Sequence, residues 1–162
     1  MRHAKSSWRD ADWFDIERPL NDRGRSDIPL MILVLHEKVK KIDKIITSPA
    51  NRAMMTARLI AEGLEYNKDD IEVKEVIYES EVKQILDLIK NLDNNWQSVM
   101  LVGHNPEFSL CLEELTGLSY RVMPTAAVAG IEFNVKSWKD IKEGKGSLLL
   151  FDFPKKYKKE EL

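Results

Sequence analysis

Short β-branched runs alternate with helical stripes along most of this chain, and that alternation leaves it few folds. Lys44-Ile45-Ile46-Thr47 reads as a buried strand; Ser48 then caps, Pro49 takes the first helical position, and Ala50 to Gly63 reads as helix. Upstream, Asn21 can cap a helix running to about Lys41, with Ser26 as a second possible cap beyond Gly24. From Leu30 through Leu33 and Val34 to Val39 and Ile42, apolar residues recur at helical spacing. A strand near Glu72 to Tyr78 comes next, then a helix over Glu81 to Leu92 capped by Ser80. Ser98 to Val102 is a third apolar strand, and Pro106 to Thr116 a helix closed by Gly117. Ala127 to Val135 and Ser147 to Phe153 read as two more strands, neighbours across the Trp138 to Gly146 connection. Such a pattern predicts an α/β fold with a mostly parallel sheet, whose ligand crevice lies outside the carboxyl ends of the strands.

A length of 162 residues suits a single domain over residues 1–154, with a charged, solvated tail over 155–162. The 25 basic and 27 acidic side chains nearly cancel, so no bulk field draws the chain to nucleic acid or to an anionic membrane, and any anion site must be local. No apolar run approaches the roughly 20 residues that span a bilayer, and no basic-then-apolar leader is seen. The single cysteine, Cys111, fits a reducing cytoplasm and reads as a core residue of an amphipathic helix. Three scattered histidines with one cysteine make no zinc spacing, so neither metal nor cofactor is expected. Asp10, Asp12 and Asp15 lack the glycine and distal glutamate of a calcium loop and read as solvated.

Against this background three short segments carry chemistry. Arg2-His3 opens the chain, Arg52 follows the first predicted strand, and His104 follows the strand ending at Val102. Two histidines and two arginines beside turns are what a metal-free phosphate site needs: an imidazole can attack phosphorus, and guanidinium forks hold phosphoryl oxygens at two points. His3 is the candidate nucleophile, Arg2 and Arg52 the clamp, and His104 a donor to charge accumulating on the phosphoryl group. Lys5, Ser6 and Asn21 are further candidates for touching phosphate. Trp8, Trp13 and Phe14 either line the mouth of the site or anchor its loop. His36, beside Glu37 and Lys38, reads as part of a solvated helix face.

Arg2-His3-Ala4-Lys5-Ser6, Ser48-Pro49-Ala50-Asn51-Arg52 and Val102-Gly103-His104-Asn105-Pro106, in that order, resemble the histidine phosphatase superfamily, and most of all its small SixA-like phosphohistidine phosphatases. The resemblance implies a three-layer α/β/α sandwich of phosphoglycerate-mutase type, with His3 as nucleophile and Arg2, Arg52 and His104 completing the pocket. It marks Arg18-Pro19-Leu20 as a family feature before the first long helix, and Glu79 as the placed candidate for general acid. The stretch from Glu79 to Ser98 holds one helix where relatives acting on small sugars or phosphoglycerate carry a longer cap. An open site of that kind suits a side chain presented by another protein, such as a histidine-phosphotransfer protein. Two other readings are a broad small-molecule phosphomonoesterase and a phosphate- or phosphohistidine-binding module without turnover.

In this superfamily the Arg-His pair follows a central parallel strand, and here only Met1 precedes Arg2. The expectation is therefore a sheet lacking that strand, with two inner edges unpaired. A gene start called too late is the favoured explanation, ahead of a partner chain filling the slot or a displaced Met1-Arg2-His3.

Overall fold

A computed structural model of the chain describes residues 1–119 and 122–158. Three parallel strands form one sheet in the order β2-β1-β3: β1 is Lys44–Thr47, β2 Glu72–Val73 and β3 Val99–Val102. Strands β4 (Val128–Glu132) and β5 (Ser147–Asp152) pair antiparallel, with a register shift between Gly130 and Ile131. Four helices alternate with them: α1 Asp22–Lys38, α2 Asn51–Gly63, α3 Val82–Lys90 and α4 Glu107–Thr116.

The two-residue period of a strand sends neighbours to opposite faces, and β1 divides the core in this way. Ile45 joins Met31 and Leu35 of α1 and Ala53, Ala57 and Ile60 of α2; Ile46 joins Ile85 of α3 and Phe108 and Leu112 of α4. Helices on both faces of a largely parallel sheet are the α/β/α sandwich expected.

The gap between β3 and β4 is bridged by the first three residues. Arg2 forms a parallel bridge with Gly103; the His3 amide donates to Gly103 O at 3.0 Å, and Gly103 N donates to Met1 O at 3.1 Å. On the other side Arg2 N donates to Ala127 O at 2.9 Å and Ala126 N to His3 O at 3.0 Å. The expectation of unpaired inner edges is corrected in part: an isolated bridge, too short to count as a strand, pairs the backbone at Leu101 and Gly103 and at Ala126 and Ala127 and joins the two sheets, while β3 and β4 have no further strand partner on that side among the described residues.

Several boundaries shift for local reasons. Asn21, not Ser26, caps α1, its Oδ1 accepting from Gly24 N at 2.8 Å, and the helix ends at Lys38. Gly24 is required there because a Cβ would lie 2.2 Å from the carbonyl oxygen of Lys5. Ala50 rather than Ser48 holds the N-cap position of α2, and Glu81 with Gln84 closes a capping box on α3 in place of Ser80. Strand β2 stops at Val73; a 3-10 turn over Glu75–Ile77 then carries Ile77 into the second core and returns Tyr78 toward the sheet edge.

Residues 155–158 of the tail are exposed, and two of their lysines close ion pairs onto the domain. Asp27 and Asp152 are 1% and 2% exposed, and buried carboxylates need cations. Lys38 and Lys156 pair with Asp152 at 2.7 and 3.0 Å, and Lys158 pairs with Asp27. Residues 159–162 of the expected tail lie outside the described residues.

Candidate active site

Arg2, His3, Arg52 and His104 converge at the carboxyl edge of the parallel sheet. His3 sits in the bridge beside Gly103, His104 follows β3, and Arg52 occupies the first turn of α2 after β1. The two imidazole centroids are 5.2 Å apart at an interplanar angle of 55°.

His3 is buried, and its Nδ1 lies 2.7 Å from the carbonyl oxygen of Ala4. A carbonyl only accepts, so Nδ1 carries the proton and the lone pair is left on Nε2. Ala4 is itself held in place, its amide donating at 3.0 Å to Thr56 Oγ1, which donates to Arg52 O within α2. Burial lowers the His3 pKa to about 3; the hydrogen bond to Ala4 opposes this, while His104, Arg52 and Arg2 add to it. The ring is neutral at physiological pH and nucleophilic at Nε2.

Burial, then the charge of Arg52, lowers His104 to about 4, so it too is neutral. Its Nε2 lies 2.7 Å from Ser48 Oγ, and its Nδ1 is buried without a protein partner. Arg2 and Arg52 each have a buried Nε without a protein partner. Arg2 Nη1 is tied to Met123 O at 2.8 Å, and burial lowers its pKa. Three buried polar atoms are thus left without protein partners, two of them on guanidinium groups of the kind that bind phosphoryl oxygens.

The residue that sequence reasoning missed is Asp15. It reads from the sequence as solvated with Asp10 and Asp12, yet it joins three side chains, those of Arg52, Tyr78 and Arg18. Its Oδ2 lies 3.1 Å from Arg52 Nη2 and accepts from Tyr78 Oη at 2.8 Å; its Oδ1 lies 3.1 Å from Arg18 Nη2, and its main-chain oxygen accepts from Arg52 Nη1 at 2.7 Å. Burial pushes the carboxyl upward, but the hydrogen bond from Tyr78 and the charge and hydrogen bonds of Arg52 and Arg18 together hold it down at about 2. Tyr78, raised to about 12 chiefly by burial and by Asp15, packs edge-on to His104. Asp15 thus takes the terminal edge of the Arg52 guanidinium and leaves the Nε side of the fork to the pocket. No local signal in the sequence separates it from Asp10 and Asp12.

Other candidates fall differently. Ser6 is buried, its Oγ accepting from Arg18 Nη1 at 2.8 Å. Asn21 spends its carbonyl on the α1 cap, and its amide donates to Ser6 O at 3.3 Å. Glu79 is exposed, at a φ of 52°, directly after Tyr78. Trp8 is 73% exposed with the Arg18 guanidinium 3.5 Å over its ring, and Phe14 is 76% exposed. Trp13 instead lines a groove with Ile16, Pro49 and Met54. His36 is exposed, its Nε2 2.8 Å from Gly63 O. Cys111 is buried in the second core, its thiol raised to about 12 chiefly by burial.

Among solved structures, the protein histidine phosphatase SixA complexed with tungstate aligns at a TM-score of 0.83 and 24% identity, covering 98% of this chain and 97% of its own. A proposed phosphohistidine phosphatase SixA from Agrobacterium tumefaciens aligns at 0.80 and 26% identity, covering 95% of both chains. A mycobacterial glucosyl-3-phosphoglycerate phosphatase is more distant, at 0.67 and 14% identity over 91% of this chain and 93% of its own. No curated protein sequence matches. Among the described residues, no helix is long and apolar enough to cross a membrane. The family model of the histidine phosphatase superfamily (branch 1) matches residues 1–96, more than half of the chain: the chain belongs to that superfamily.

Proposed function

We propose that the chain is a metal-independent phosphatase that removes the phosphoryl group from phosphohistidine on a protein, through a covalent intermediate on His3. The observation that carries this reading is the state of His3: neutral, its Nδ1 proton held by Ala4 O, its ring within the electrostatic reach of His104, Arg52 and Arg2, each of which has a buried polar atom without a protein partner. In the first step Nε2 attacks phosphorus, the bond from phosphorus to the substrate nitrogen breaks, and the departing imidazole takes a proton from water. In the second, water attacks phosphorus, the bond to Nε2 breaks, and inorganic phosphate leaves with His3 neutral again. Arg2 and Arg52 hold the oxygens throughout, and His104 donates to them as charge builds.

The preference for a nitrogen leaving group follows from the acids at hand. Asp15, at about 2, is ionised at neutral pH, Tyr78, at about 12, holds its proton too tightly, and Glu79 is exposed to solvent. An imidazole with a pKa near ~6.5 is protonated readily by solvent, whereas an alkoxide needs a placed acid. The single helix α3 between Glu79 and β3, and the exposed Trp8 and Phe14, suit a broad protein surface such as that of a histidine-phosphotransfer protein. The Agrobacterium relative is described as acting on phosphohistidine, in the same direction.

The test is hydrolysis of an aryl phosphate by the wild type in chelator, with His3→Ala as control, then kcat/KM on a phosphorylated histidine-phosphotransfer protein against sugar phosphates. Activity surviving in His3→Ala removes the covalent mechanism. A higher kcat/KM on sugar phosphates supports the broad phosphomonoesterase, and no turnover of any substrate supports the binding module.

A further inference from the structure

Ser48 has a place in the site that its expected role as a helix cap does not explain. It is fully buried at the end of β1, where its Oγ accepts from Ala50 N at 3.1 Å and lies 2.7 Å from His104 Nε2. An amide can only donate, so that contact uses one of the lone pairs of the hydroxyl and none of its proton. The proton of Ser48 then has one acceptor within reach among the described contacts, the imidazole Nε2. We infer that Ser48 donates to His104 Nε2 and so fixes His104 as the Nδ1–H tautomer, making Ser48 a positioning residue for the donor to the phosphoryl group.

The opposite assignment fails on hydrogen-bond accounting. With the proton on Nε2, Ser48 Oγ would receive two donors, and its own buried proton would have no acceptor. Nδ1, buried and without a protein partner, would then offer a lone pair in a pocket built to meet phosphoryl oxygens. With the proton on Nδ1, that same atom becomes a donor alongside Arg2 Nε and Arg52 Nε. His104 is neutral, so which nitrogen holds its single proton decides whether the ring attracts or repels a phosphoryl oxygen. His3 is set by the same logic in mirror image: a carbonyl acceptor places its proton on Nδ1 to free Nε2 for attack, while a hydroxyl donor places the proton of His104 on Nδ1 to face the product of that attack.

The tautomer itself is read without any activity, whereas its catalytic consequence rests on the proposed phosphatase reading, so the two can fail separately. Long-range proton–nitrogen correlation spectra of histidine-labelled protein at neutral pH, with the His104 signals assigned by their loss in His104→Gln, should show a protonated Nδ1 and an unprotonated Nε2. Ser48→Ala should give a mixture of tautomers and lower kcat on an aryl phosphate by about tenfold or more with little change in KM. Ser48→Thr, which keeps the hydroxyl, should restore both. A wild-type spectrum with the proton on Nε2 overturns the inference, even if no variant folds. So does a Ser48→Ala spectrum identical to wild type. The expected tautomer in a protein without turnover upholds the Ser48 assignment and refutes the phosphatase reading.

Discussion

Replacing Asp15 by Asn removes one negative charge from between Arg18 and Arg52 while keeping the side chain's size, and its effect on stability should depend on pH in a defined way. The Asp15 carboxyl falls from 3.8 to about 2 in the folded protein. At about 1.36 kcal/mol per pKa unit that difference caps its linked contribution near ~2.4 kcal/mol. Its side chain is 48% exposed, so solvent screening reduces the expected value to about 1 kcal/mol. Because the folded pKa is depressed, this stability is fully present above the unfolded pKa of 3.8 and is lost as pH falls through about 2. Urea unfolding at pH 7 should therefore place Asp15→Asn about 0.5 M below wild type, for an m-value of about 2 kcal/mol per M. Near pH 3 the difference should shrink to about half. Taking the difference between the two proteins cancels the separate acid sensitivity of His3 and His104, which both share. A gap that stays constant from pH 7 to pH 3, or no gap at all, would falsify the ionic role assigned to Asp15. In parallel, kcat/KM should fall by about tenfold as the terminal edge of Arg52 loses its anchor.

Arg52→Lys keeps the charge but loses the fork, and kcat/KM on an aryl phosphate should drop by at least about tenfold; an unchanged value would place Arg52 outside the phosphate contact. Gly24→Ala drives a methyl group to 2.2 Å from the Lys5 carbonyl oxygen, and since both partners are backbone the helix must shift, costing about 1–3 kcal/mol in a chemical-denaturation assay. With the His3 pKa lowered to about 3, its neutral form is lost only as pH falls through that value. The acid limb of kcat/KM, corrected for substrate ionisation, should accordingly lie well below the ordinary histidine value of about 6.5. A limb at 6.5 would mean that His3 is not the buried neutral base described.

Much of the site was legible because its residues stand at the ends of strands, and strand ends are marked by local pattern. The run Lys44-Ile45-Ile46-Thr47 announces both a strand and the edge where Arg52 begins, and Val99–Val102 does the same for His104. Asp15 was not legible for the opposite reason. Its partners Arg52 and Tyr78 are 37 and 63 residues away, and nothing in the spacing of Asp10, Asp12 and Asp15 says which of them the fold will bring to Arg52. Ser48 was read as a cap because serine before proline usually caps, but the hydroxyl faces His104, 56 residues on. The expected strand over Glu72 to Tyr78 failed where Ile77 was needed in the second core, a tertiary demand that β-branched composition alone cannot reveal.

The bridge formed by Met1 to His3 also sets an order of events. His3 lies far along the chain from the residues that hold it, its amide donating to Gly103 O and its carbonyl accepting from Ala126 N. Closing so long a loop carries an entropic cost that nothing local offsets, so these bonds form only with the rest of the sheet in place. Until Ala126 and Ala127 have joined the sheet, the chain can therefore carry Arg2, His3, Arg52 and His104 without the site being closed around them. In the folded protein the same bonds cannot open without parting the two sheets, so the amides of His3, Gly103 and Ala126 should exchange with solvent together, at the rate of global unfolding.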